Sequence, residues 1–213
     1  MANILILGAN GSIATVVEQA LVADNTQHHL TLFLRHPEKL TATIPNSTVI
    51  QGDVTDSAAL NNAMKNQDIV YANLLGTDSI DQANTVIQAM QKNNVQRLIW
   101  VSVLGIYDEV PGAFGQWNKD MILDDYITPY ALAAKSIEAS ELDYTLIRPA
   151  WYSNTHEIDY ELTQKGTPFK GTEVSRDSVA NFITTLINTP QQHIRESVGI
   201  NRPNTDGAKP AWF

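Results

Sequence analysis

Apolar residues in this chain gather in short runs that are hydrophobic at consecutive positions. Longer stretches separate them, in which apolar residues recur every three or four positions. The runs at 3–7, 30–34, 47–51, 69–74, 98–103, 144–147 and 197–200 are rich in Leu, Ile and Val on both faces. That pattern predicts strands of a parallel sheet covered on both sides. Helices are predicted between them. One covers 15–22, and Asp56 can cap a second through Leu60 and Met64. Ser79 or Asp81 can begin a third, carrying Val86, Ile87 and Met90. Thr128 and Pro129 read as the N-cap and first position of a helix over 131–141, and 175–187 is amphipathic up to Pro190. Alternation of this kind implies right-handed crossovers and a doubly wound, mostly parallel α/β sheet with helices on both faces. No repeat or composition break divides the chain, so one domain over 1–213 is expected, with a small substrate-cleft portion at about 150–175. The irregular stretches 104–116 and 150–170 both follow strands. They are therefore expected at the carboxyl edge of the sheet, where such folds bind ligands.

The first strand stops abruptly at Gly8-Ala9-Asn10-Gly11-Ser12-Ile13-Ala14. Gly8 permits a sharp turn, Gly11 lets backbone approach a phosphate, and Ala14 is small enough for close helix–strand packing. The turn, directly after a strand and before a helix, points to a dinucleotide pyrophosphate held at the helix N-terminus. The second strand ends in Arg35-His36-Pro37, where an acidic residue would bind the ribose hydroxyls of NAD. Arginine offers a forked cation to a 2′-phosphate and favours NADP, with NAD as the alternative cofactor. Asp53 and Val54 follow the third strand. There a carboxylate can meet the adenine amino group or serve as a helix-entry residue. Gly76, after the fourth strand, suits close approach of backbone to ribose.

Composition narrows the partners. The chain has 213 residues, 43% of them hydrophobic, with a formal net charge of −9 that disfavours nucleic acid. The absence of cysteine excludes disulfides, thiolate catalysis and zinc–sulfur sites, and fits a reducing compartment. No long apolar run suits a membrane span, and the N-terminus enters a core strand at once, so a cytoplasmic protein is expected. His28, His29 and His193 lack metal-ligand spacing with acidic partners, and no metal is expected.

The glycine turn at 8–14, Arg35 to Leu40, Gly52-Asp53-Val54, Leu75-Gly76-Thr77 and Val101-Ser102 together resemble the atypical short-chain dehydrogenase/reductases. So do Ala134 to Glu138 and the run from Leu142 to Pro149. The specific likeness is to the compact NAD(P)H-binding group that includes biliverdin reductase B-like flavin reductases and NmrA-like proteins, and it spans about residues 3 to 200. The resemblance implies a Rossmann-type fold. It implies cofactor contacts at Gly8, Asn10, Gly11, Ser12, Ile13, Arg35, Asp53, Val54, Leu75, Gly76 and Ser102, and a late helix start at 174–180 beside the cleft.

One departure bears on mechanism. The wider superfamily pairs a catalytic tyrosine with a lysine four residues later, but Ala131 stands four before Lys135. Tyr130 is five before it and is expected to point away from the lysine face, and so from ribose and substrate, leaving Lys135 as a ribose ligand or a solvated helix residue. Ser102, at a strand end, can bond substrate or the nicotinamide amide. Tyr107, Trp117, Trp151, Tyr152 and His156 fall in or beside the two irregular stretches. They either pack or wall a pocket for a flat conjugated substrate. Two functions are compatible with this pattern. One is an NADPH-dependent oxidoreductase reducing a small flavin- or quinone-like acceptor, and the other is a non-enzymatic NADP sensor. A sugar-nucleotide epimerase would need the tyrosine and a larger substrate domain.

Overall fold

The computed structural model describes residues 1–24 and 27–213, with the side chains of 123–125 outside the description. The first half of the sheet is built from β1 (Asn3–Leu7), β2 (His29–Leu34), β3 (Ser47–Gln51) and β4 (Ile69–Ala72). The second half adds β5 (Arg97–Val101), β6 (Asp143–Pro149), β8 (Glu161–Gln164) and β10 (Glu196–Asn201). The strands lie in the order β3-β2-β1-β4-β5-β6-β10-β8, parallel throughout except that β8 runs antiparallel to β10. β7 (Trp151–Ser153) and β9 (Glu173–Ser175) pair separately, in parallel.

Strand alternation sends successive side chains to opposite layers. Ile4 and Ile6 pack with α1 (Ser12–Ala23) and α6 (Arg176–Asn188), whereas Leu5 and Leu7 face α2 (Ser57–Ala63), α3 (Ser79–Lys92) and α5 (Leu123–Ala139). Both faces are thus covered, which is why the strand runs lack polar alternation. The chain order reverses between β1 and β4, and the crevice above this reversal is the natural ligand position of a doubly wound sheet.

Three boundaries differ from the sequence expectation. α5 begins at Leu123, so Pro129 lies inside the helix. Proline removes one backbone donor, but Tyr130, Ala133, Ala134 and Ile137 bury a continuous stripe against the sheet and hold the helix together. The stretch 104–116 contains the start of an unexpected α4 (Gly112–Met121). Gly112 and Gly115 hide its helical signal, yet Gly115 is required because a Cβ there would strike the Val110 carbonyl. Finally, 150–170 is only partly irregular, since β7 and β8 lie within it.

Candidate functional site

Two cavities meet at the carboxyl ends of β1 and β4, sharing Gly11, Asn73, Leu74 and Leu75 as common wall. The first, of about 200 Å³, runs from Gly8 and Asn10 across to Arg35 and Lys39, with Asp53 and Val54 on its far side. The second, of about 270 Å³, is mostly apolar. It lies between Ser12 and Ile13 on one side and Ser102, Tyr130, Trp151 and Tyr152 on the other.

The glycine turn forms because Gly8 takes a left-handed φ of +78°, and a Cβ there would run into the Asn73 carbonyl oxygen. Gly11 has an ordinary φ of −69°. Its constraint is steric, since a Cβ would meet the Asn73 side-chain amide. Asn73 therefore shapes the turn from the opposite strand, a role invisible in a motif read along one segment. Gly11 is also the N-cap of α1 and supplies no side-chain cap, whereas Asp56 and Ser175 cap α2 and α6. The first-turn N–H groups of α1 stand at the junction of the cavities, suited to an anion.

At the Arg35 end, Asp53 Oδ1 accepts from the Thr55 N–H at 2.9 Å and the Thr55 hydroxyl at 2.7 Å. These bonds, with a smaller contribution from the Arg35 charge, hold its carboxyl below the ordinary range. Asp53 thus acts in its turn while still lining the cavity. Arg35 is exposed at the rim, with His36 turned to Glu38 at 3.0 Å.

At the other end, the Ser102 N–H donates to the Ile147 carbonyl at 2.8 Å, but its hydroxyl is buried without a partner. An orphaned hydroxyl costs free energy unless a ligand completes it. Tyr130 lines the cavity wall, contrary to the expectation that it points away from the site. Its hydroxyl donates to the Leu74 carbonyl and accepts from the Gly76 N–H, both at 3.3 Å, and burial raises its pKa. Lys135, about 140° further round the helix, is exposed and lies outside both cavities. The two residues do diverge around the helix, but the tyrosine, and not the lysine, takes the cleft side.

Of the remaining expected residues, Gly76 stands beside the groove without lining it, whereas highly exposed Leu75 lines both cavities. Trp151 walls the second cavity, its indole N–H donating to Asn118 Oδ1 at 2.9 Å and its ring 4.7 Å from that of Trp117. Tyr107 does not reach the cavity. Its hydroxyl donates to Glu138 at 2.7 Å and its ring lies 4.3 Å from Lys165 Nζ. His156 is also outside, exposed and bonded to Asp177 at 3.0 Å. Among the described residues, no group of three or more His, Asp or Glu is placed to hold a metal, and no helix is long and apolar enough to cross a membrane.

The donor set fits a dinucleotide: an uncapped helix end, a turn that admits no side chain, a cationic rim and a buried free hydroxyl. Comparison with known proteins agrees. A family model described as NAD(P)H-binding matches residues 8–190. No curated protein matches the chain. Among solved structures, a Rossmann-fold NAD(P)-binding family protein from Shigella flexneri is 49% identical, with a TM-score of 0.86 over 99% of this chain and 98% of that one. A wide-type short-chain dehydrogenase/reductase from Veillonella parvula, solved in complex with NADP, is 30% identical, with a TM-score of 0.89 over 99% of each chain. An anaerobilin reductase from Escherichia coli shares the fold at 21% identity, with a TM-score of 0.81 over 96% of this chain and 99% of that one.

Proposed function

The chain belongs to the NAD(P)H-binding family, and from that premise we propose that it is an NADPH-dependent oxidoreductase acting on a small conjugated acceptor, flavin- or quinone-like. The observation that carries the reading is the apolar cavity of about 270 Å³ that continues the dinucleotide groove past the N-terminus of α1 and includes the unpartnered Ser102 hydroxyl. NADPH, when bound, supplies a hydride. The protein's part is orientation, which is the main requirement for that transfer. Gly8, Asn10 and Gly11 with the first turn of α1 would hold the pyrophosphate, and Arg35 with Lys39 would face a 2′-phosphate. Ser102 would fix the nicotinamide amide or the acceptor, while Trp151 and Tyr152 offer flat apolar walls. With the Tyr130 hydroxyl held by loop backbone, the acceptor's proton comes from water, which conjugated acceptors permit. Arg35 at the end of β2 supports NADP over NAD. The absence of cysteine supports a reducing, cytoplasmic setting, and the net charge supports a small molecule over nucleic acid as partner.

The Tyr130 arrangement also favours a second reading, a protein that binds NADP and responds to it without turnover. The two separate in one experiment. Purified protein is titrated with NADPH and NADH by fluorescence and then given a panel of flavins and quinones. NADPH oxidation dependent on an acceptor is expected. Tight NADPH binding with no turnover across the panel would establish the sensor instead.

A further inference from the structure

We infer that Arg176 selects an acceptor bearing a carboxylate or phosphate, holding that oxyanion at the rim of the apolar cavity; the inference rests on the reductase reading above. Arg176 opens α6, and its Nε donates to Ser12 Oγ at 3.3 Å. One terminal nitrogen donates to the Ser153 carbonyl at 3.2 Å and to Asn154 Oδ1 at 2.6 Å. The guanidinium carbon lies 5.2 Å from the centroid of the Tyr152 ring. Ser12 and Tyr152 line opposite sides of the second cavity, and the guanidinium, just outside its lining, touches both.

All three of its acceptors are neutral. Among the described residues Arg176 pairs with no carboxylate, and its second terminal nitrogen has no hydrogen-bond partner. The nearest acids in sequence are engaged elsewhere, Asp177 with His156 at 3.0 Å and Glu173 with Arg202 at 3.8 Å. Arg148, by contrast, is fully buried and neutralised by Glu109 at 2.6 Å. A guanidinium presents five donors, and three of them are used here, so Arg176 keeps its charge and the two N–H groups of its second terminal nitrogen for an oxyanion. In a chain of net charge −9, an uncompensated arginine beside an otherwise apolar cavity confers a preference that its walls lack. The walls take any flat acceptor, and Arg176 sorts those with an anionic arm.

Riboflavin and flavin mononucleotide share one ring system and differ by a phosphate, which makes them the test pair. Their dissociation constants are measured by flavin fluorescence with the protein saturated in NADP⁺, and their KM values with NADPH. Flavin mononucleotide is expected to bind about tenfold or more tightly than riboflavin, the scale of one charge-assisted contact. That advantage should shrink with added salt. Arg176→Gln should bring the ratio close to one, and Arg176→Lys should retain part of it, because the charge stays while the fork is lost. An unchanged ratio in a folded Arg176→Gln protein overturns the inference. So does a loss that falls on NADPH affinity, which would assign the guanidinium to the cofactor's phosphates. Equal handling of both flavins by the unsubstituted protein overturns it while leaving the reductase reading intact. Failure to bind or reduce either flavin overturns the inference, and with no turnover of the quinones it removes the reductase reading as well. Where Arg176→Gln fails to fold, Arg176→Lys carries the test, and a ratio undiminished in that variant overturns the inference.

Discussion

At the scale of single residues, the site depends on side chains whose roles are set by their neighbours across the groove. Arg35 is the clearest case. It stands at the rim of the first cavity, and the nearby Asp53 is occupied by Thr55. Pairing with a 2′-phosphate contributes on the order of 1.5–3 kcal/mol, about 10- to 150-fold in affinity. NADPH should therefore bind more tightly than NADH, and Arg35→Asp should erase or invert the difference. Equal affinities in the unsubstituted protein would remove this role. Tyr130 and Lys135 form a second case. Tyr130→Phe removes two hydrogen bonds to the loop carrying Leu74 and Gly76 and should cost about 1 kcal/mol of stability. It should weaken NADPH affinity modestly while leaving hydride transfer itself nearly unchanged. Lys135→Ala, on the exposed side of α5, should change stability by under about 0.5 kcal/mol and leave cofactor affinity unaltered. Stopped-flow reduction separates the outcomes. A 100- to 10,000-fold loss in rate for Tyr130→Phe, with affinity intact, would make the phenol a general acid. The expected orientation failed because it was measured from Lys135 alone: Tyr130, Ala133, Ala134 and Ile137 share one helical face, and that face must cover the sheet. Lys135 lies off it.

At the scale of elements, the seven parallel strands of the main sheet and the glycine turn were readable because the central strands are apolar at nearly every position, whereas β7, β8 and β9 carry no such run. α4 was not, since its glycines are there for packing and depress the helical pattern. The role of Asn73 was hidden as well, because it acts on Gly11 from a strand far away in sequence. α1 carries a further element-level consequence in Glu18, which is 2% exposed with Oε1 unpartnered, and whose pKa burial pushes up to about 8. In the unfolded chain that carboxyl ionises near its ordinary 4.5. Between those values the folded protein keeps a proton that the unfolded chain has released. The Glu18 contribution to stability should therefore decline as pH rises from about 4.5 to about 8 and level off above. Glu18→Gln keeps the shape without the charge. It should remove that decline and raise stability at pH 8 by a few kcal/mol, because each tenfold change in proton affinity corresponds to about 1.4 kcal/mol. Urea denaturation of both proteins at pH 5, 6.5 and 8 measures this, and parallel profiles would show that the carboxyl is hydrated in solution.

At the scale of the whole molecule, the groove is assembled from both halves of one sheet. Gly8, Arg35 and Asp53 come from the ends of β1, β2 and β3, whereas Asn73, Ser102 and Trp151 follow β4, β5 and β6. The halves join through the β1–β4 ladder, in which Leu7 pairs with Ala72, and both hydrophobic layers run across that junction. A ligand spanning the groove therefore stabilises both halves together, and neither can melt without losing part of the site. At a hundredfold excess over its dissociation constant, NADP should add about 2.7 kcal/mol. For a chain of this size that corresponds to a rise of about 5–10 °C in Tm. Calorimetry should show one transition without cofactor, and the same single transition displaced upward as a unit with NADP. NAD at equal concentration should give the smaller displacement, because the contribution of Arg35 to a 2′-phosphate is missing. A split endotherm, with only one component moved by NADP, would mean that the halves fold separately and that the groove is a contact between two domains.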